Sequence, residues 1–178
     1  ANSKKINLLQ KIKNFFYLKY HKFIFGKNTY VKKNFEIRKT EESIIQIGSN
    51  CIIQEYTFFL LTKPNPKLTI GNNVSIGRNS ILAIKDHLKI GNNTEIAANV
   101  SIYDQSHGIE KNKLINEQFS LVKKVTIGDD VWIGAGTTIL KGVKIGNGAV
   151  IGANSLVNKN IPDNQIWAGN PVKYLKER

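Results

Sequence analysis

The chain has 178 residues, a net charge of +13, 41% hydrophobic residues and a single cysteine. Its length suits one domain with an appendage, its Ile-rich patterning excludes a disordered chain, and lone Cys51 excludes an internal disulfide or a cysteine-based zinc knuckle. The charge suggests nucleic acid until it is divided: residues 1–39 hold eleven Lys/Arg and one acid, Glu36, the remainder fifteen bases and twelve acids, so no nucleic-acid partner is expected.

Residues 4–25, KKINLLQKIKNFFYLKYHKFIF, space Leu9, Ile12, Phe16, Tyr20 and Phe23 near helical intervals with lysines between them. This predicts a basic amphipathic helix within an N-terminal segment spanning 1–40. Such a helix could lie on an anionic membrane surface or cover the open end of the domain that follows. No apolar run reaches the roughly 20 residues of a membrane span, and a signal peptide's apolar stretch and cleavage site are absent. The expected location is cytoplasmic, with peripheral contact at the inner membrane face as an option.

A repeat takes over from about Ile45 to Ile161. Its clearest run places Ile127, Ile133, Ile139, Ile145, Ile151 and Val157 six residues apart, in phrases such as IGDDVW, IGAGTT and IGNGAV. Earlier copies begin at Ile47, Ile70, Ile76, Ile90 and Ile96. A period of six fits neither an amphipathic helix nor an alternating strand. It fits a flat strand ending in a tight corner: an apolar residue points inward, Gly, Ala or Asn permits the corner, and a small or β-branched residue such as Val74, Ser80, Thr94 or Val131 fills the remaining interior. Three hexapeptides complete one turn of an all-β, triangular parallel β-helix, expected over 41–163.

Two stretches break the rhythm. LAIKDHLK at 82–89 has eight residues where six are expected, and an insertion runs from Tyr103 to about Lys124. Long excursions from a regular scaffold carry function. Of the histidines, His21 lies in the basic helix and His87 in the shorter bulge. His107 sits in the insertion as YDQSHG, three residues after Asp104. Its ordinary pKa suits a general base, and Asp104 either orients it or holds the loop. No closely spaced His pair accompanies it, so no metal site is expected.

The repeats, the YDQSHG loop and the ending QIWAGNPVK at 165–173 resemble the hexapeptide-repeat acyltransferases. Within them the chain resembles the galactoside, maltose and xenobiotic O-acetyltransferase group, including bacterial surface-polysaccharide O-acetyltransferases. The resemblance implies a left-handed coil, a homotrimer with sites between neighbouring prisms, acetyl-CoA as cosubstrate and a sugar hydroxyl as acceptor. It makes His107 the catalytic base and places Asn99 on the acceptor side; Asp104 stays a catalytic candidate with both roles open, and Tyr103 is a candidate for the acceptor side. On the coenzyme side it implies Trp132 beside the pantetheine arm, backbone groups of Gly152 and Ala153 on its amides, and Lys159, Lys173 and Arg178 for the phosphates, with 164–178 as a coenzyme-side tail. Ala135 stands where related enzymes often have a hydroxyl residue, which leaves its backbone N–H alone to serve there.

The expected function is acetyl-CoA-dependent O-acetylation of a bacterial surface polysaccharide or its precursor. The alternatives are N-acetylation of an amino sugar, acetylation of an antibiotic, and a non-catalytic trimeric scaffold.

Overall fold

A computed structural model describes residues 23–63 and 65–178. The expected helix therefore lies outside the described residues up to position 22, and its last residues are not helical. Phe23–Phe25 is the first strand of the coil.

The first turn is β1 (Phe23–Phe25), β2 (Tyr30–Val31) and β3 (Glu36–Lys39); the second is β4 (Ile44–Ile47), β5 (Ile52–Ile53) and β6 (Phe58–Leu61). The third is β7 (Lys67–Ile70), β8 (Ser75–Ile76) and β9 (Ile81–Ile84), and the fourth β10 (His87–Ile90), β11 (Glu95–Ile96) and β12 (Ser101–Tyr103). An excursion then carries β13 (Gln105–Ser106), a 3-10 turn at Ile115–Glu117 and β14 (Leu121–Val122). The fifth turn is β15 (Val125–Ile127), β16 (Trp132–Ile133) and β17 (Thr138–Ile139), and the sixth β18 (Lys144–Ile145), β19 (Val150–Ile151) and β20 (Leu156–Val157). β21 (Gln165–Ala168) and the antiparallel β22 (Lys173–Glu177) follow.

Each turn gives one strand to each of three parallel sheets. Face A is β1-β4-β7-β10-β15-β18, face B is β2-β5-β8-β11-β16-β19-β21-β22, and face C is β3-β6-β9-β12-β17-β20. The chain is a parallel β-solenoid of triangular section. Its first edge joins A to B, its second B to C, and its third C to A.

Ile127, Ile133, Ile139, Ile145, Ile151 and Val157 are all at most 1% exposed, and Val74, Ser80, Thr94 and Val131 are buried beside the column. Each isoleucine so buried contributes about 1.5–3 kcal/mol. The buried hydroxyls lose no hydrogen bond, because they reach the corner carbonyls of neighbouring turns. Thr94 Oγ1 donates to Gly128 O at 3.1 Å, and Thr137 Oγ1 to Gly152 O at 3.2 Å.

A turn of three hexapeptides is realised late in the chain, where Thr126 pairs with Lys144 and Thr138 with Leu156, eighteen residues on. Earlier turns are longer, as the corner bonds Asn28–Asn50, Asn50–Asn73 and Asn72–Asn92 span 22, 23 and 20 residues. All the variation falls at the third edge. Ile47 to Ile52, Ile90 to Glu95 and Ile145 to Val150 cross the first edge with one spacing, and Ile53 to Phe58, Ile96 to Ser101 and Ile151 to Leu156 cross the second with the same one.

Two boundaries need correction. The coil begins at β1, so residues 23–40 belong to it, because Phe25, Val31, Phe35 and Ile37 pack on the core and Asn28 and Asn34 adopt the left-handed corner conformation without an Ile-Gly phrase. The tail from 164 also belongs to it, because β21 pairs with β19 and extends face B.

Candidate active site

The insertion leaves the coil at the third edge, and Asp104 forms its neck. The Asp104 N–H donates to Ala83 O at 3.3 Å, and Lys123 N–H donates to Asp104 O at 2.8 Å, so the insertion's two strands close on one residue. The 1%-exposed carboxylate accepts Lys85 N–H at 2.8 Å and Asp86 N–H at 2.7 Å. Burial pushes its pKa up, while the backbone N–H groups of Asp86, Lys85 and His87 pull it back. Asp104 thus holds the bulged Lys85–Asp86 corner, and no hydrogen bond joins it to His107. Of the two roles read from the sequence, holding the loop is the one its contacts serve.

His107 is exposed just beyond this neck, its ring free of hydrogen bonds to the described residues. Tyr103 ends β12, half-buried, and points outward from face C. Among the described residues no group of three or more His, Cys, Asp and Glu could hold a metal ion.

The remaining expected site residues lie elsewhere on the prism. Trp132 projects from face B at 57% exposure, between Glu95 and Val150. Asn99 (φ 60°), Ala135 and Ala153 all lie on the second edge, Asn99 in register with Gly136 and Asn154, where Gly136 N–H donates to Ala98 O and Asn154 N–H to Ala135 O. The tight stacking needs Gly134, since a Cβ there would meet Ala153 N at 2.5 Å.

The first and second edges differ in one respect that the sequence reading missed. On the first, from the second turn on, a side-chain oxygen from the next turn caps the corner N–H: Asn72 Oδ1 accepts from Ser49, Asn92 Oδ1 from Asn72, Asp129 Oδ1 from Asn92, Asn147 Oδ1 from Asp129 and Asp163 Oδ1 from Asn147, at 2.6–2.9 Å. On the second, the equivalent positions are Lys33, Glu55 and Arg78 in the first three turns and Ala98, Ala135 and Ala153 in the last three, where the alanines have no such oxygen. Their N–H groups make no hydrogen bond within the described residues. An open row of donors faces solvent below Lys173, which pairs with Ala168 in β22. Asn/Asp on one edge against Ala on the other, in the last three turns, was the available signal.

Three coenzyme-side candidates have other contacts or placements among the described residues. Gly152 has no backbone group to spare, because its N–H donates to Trp167 O and its carbonyl accepts Thr137 Oγ1 and Ser155 Oγ. Arg178 is on the first edge, ion-paired to Asp130 at 2.8 Å and donating to Gly148 O at 3.1 Å. Lys159 lies on the third edge, between β20 and the Ile161 bridge to Ile145. One chain therefore does not bring the histidine loop and the alanine edge together; face C separates them.

Residues 124–159 match the family described as bacterial transferase hexapeptide (six repeats), and residues 67–104 the hexapeptide repeat of succinyl-transferase. Galactoside O-acetyltransferase of Escherichia coli K12 is 33% identical over 153 residues, which cover 80% of this chain and 70% of that protein. The chain belongs to the hexapeptide-repeat acyltransferase superfamily, in the galactoside and maltose O-acetyltransferase group. A further relative in that superfamily is an E. coli K12 protein named for O-acetyl transfer in lipopolysaccharide biosynthesis, 37% identical over 60% of this chain and 58% of its own length. Against two other curated relatives the chain spans 55% and 63% of their length. The fold matches AntD, an N-acyltransferase from Bacillus cereus solved with dTDP and 3-hydroxybutyryl-CoA, with a TM-score of 0.81 at 25% identity over 100% of this chain and 91% of that one.

Proposed function

We propose that this chain is an acetyl-CoA-dependent O-acetyltransferase acting on a sugar hydroxyl of a bacterial surface polysaccharide or its precursor. The observation that carries the reading is the uncapped row of N–H donors at Ala98, Ala135 and Ala153, on the edge that joins face B, with its exposed Trp132, to face C. Amide groups of a pantetheine arm are natural acceptors for such donors, and Trp132 offers them an apolar wall. Lys173 is the cation at that edge suited to the coenzyme's phosphates.

His107 takes the acceptor's hydroxyl proton as the oxygen attacks the thioester carbon, and returns it to the sulfur as the C–S bond breaks. The new bond is C–O, the leaving group is the CoA thiol, and no acetyl-enzyme forms. The N–H of Ala135 serves the negative charge that develops on the thioester oxygen.

A homotrimer completes the site. Face C presents Phe58, Leu60, Ile81, Leu140 and Leu156 outward, an apolar stripe bounded by the histidine loop on one edge and the alanine row on the other. Turning that face toward a threefold axis buries the stripe and sets the third edge of each copy against the second edge of the next.

Thiol release from acetyl-CoA with candidate glycans tests the reading. Turnover should vanish in His107→Ala, and full activity in that variant would sink the mechanism. A non-catalytic scaffold would show no saturable acetyl-CoA binding. The likeness to AntD favours one second reading, acylation of an amino sugar; only an ester product is lost in mild base.

A further inference from the structure

We propose that the acceptor carries a phosphate or diphosphate group, held beside the loop neck by a lysine ridge on the third edge formed by Lys67, Lys85, Lys123, Lys124 and Lys141. The inference rests on the acetyltransferase reading and names its acceptor class.

The ridge follows from register. Lys67 pairs directly with His87, and because Leu88 pairs with Val125, Lys124 stands over His87 on the next turn. Lys123 lies against Gly142, where a Cβ would meet its Cδ at 3.2 Å, so Lys141 adjoins it. Lys85 donates its N–H to the Asp104 carboxylate and its ammonium to Ser120 Oγ at 2.8 Å, joining the ridge to the insertion that bears His107. None of the five makes an ion pair among the described residues, where the pairs are Arg38–Glu36, Lys113–Glu110 and Arg178–Asp130. The exposed carboxylates on this edge are Asp86, within the ridge, and Glu41 and Glu42, in the corner one turn below Lys67. Glu110 and Glu117 lie out in the loop, and Glu110 is already paired.

The potential registers on a neighbour. His87 holds its proton less readily than an ordinary histidine, through burial first and then through Lys67, with Lys124 and Lys89 adding to it and Asp86 opposing it. Five like charges on one edge repel one another, and a doubly charged phosphate relieves that repulsion better than a single carboxylate. Such an anion would anchor the acceptor's reducing end and leave its hydroxyls facing His107.

Two measurements on the full-length protein test this. Inorganic pyrophosphate, titrated by calorimetry into protein without acetyl-CoA, should bind saturably and at least about tenfold more weakly to the Lys123→Gln/Lys124→Gln variant. Equal affinities overturn the ridge whether or not the enzyme reading stands. In turnover assays a free hexose, its 1-phosphate, a nucleoside-diphosphate hexose and a polyprenyl-diphosphate hexose in micelles are compared. The phosphorylated acceptors should show the higher kcat/KM, falling with salt and about tenfold in the variant, with the KM for acetyl-CoA unchanged; the last two distinguish a soluble from a lipid-borne source. A rise in acetyl-CoA KM instead assigns the lysines to the coenzyme's phosphates and overturns the proposal, as does an equal loss on the free hexose.

Discussion

The Asp104 carboxylate accepts the backbone N–H of Asp86 at 2.7 Å, and that of Lys85 at 2.8 Å, across the bulged corner below the insertion. Asparagine offers one oxygen where two N–H groups point, so Asp104→Asn should cost about 1–3 kcal/mol and lower kcat through a misplaced loop. Burial raises the Asp104 pKa above its ordinary 3.8. Its contribution to stability is therefore full below 3.8 and is lost as pH rises through the folded value. Urea unfolding should show wild type's margin over Asp104→Asn narrowing as pH is raised from about 4.

His107→Ala should leave stability within about 0.5 kcal/mol of wild type, because the ring is exposed and unbonded. Acetyl transfer should fall by about 10²–10⁴. Thermal unfolding and initial rates on one preparation separate a catalytic loss from a folding defect.

The second edge can be converted into a copy of the first. Ala153→Asn places an amide oxygen where Asn147 caps the Asp129 N–H, and should likewise cap Ala135. We expect a gain of about 0.5–1.5 kcal/mol in stability together with weaker acetyl-CoA binding. Asn147→Ala on the other edge should lose stability and leave acetyl-CoA affinity as it was; isothermal titration checks both.

Leu156→Glu puts a charge into the outward stripe of face C without touching the core, since Leu156 faces away from buried Val157. Sedimentation equilibrium should find monomers, and those monomers should be inactive although every site residue is present in each chain. An active monomer would contradict a site shared between copies.

Ile133 is fully buried in the fifth turn, so Ile133→Ala should destabilise by about 2–5 kcal/mol. Chemical denaturation gives the value directly.

Much of the coil was legible in the sequence because its period is enforced residue by residue. Ile127, Ile133 and Ile139 must each point inward, and a one-residue slip would expose them. The first turn was hidden because Phe25 and Val31 stand where later turns have isoleucine, and Lys32 follows Val31 where later phrases have glycine or alanine. The basic spacing that continues from residue 4 also read through as helix. The exposed positions of His107 in the insertion and of outward Trp132 were readable as single residues. What Gly152, Arg178 and Asp104 are bonded to was not, because those partners lie on neighbouring turns whose spacing changes from 23 to 18 residues along the chain. Only the folded register shows that Arg178 reaches Asp130 or that Gly152 has no free amide.

With all variation in turn length confined to the third edge, the molecule separates what must stay fixed from what can drift. The second-edge corners repeat turn after turn at constant pitch, whereas the stretch from 104 to 124 is joined to the coil through the Asp104 neck and the Lys85–Ser120 bond. The part beyond His107 is exchangeable in principle: under the proposed function, a foreign loop between about 109 and 120 would change what meets the acceptor while His107 and the second-edge donors stayed as they were.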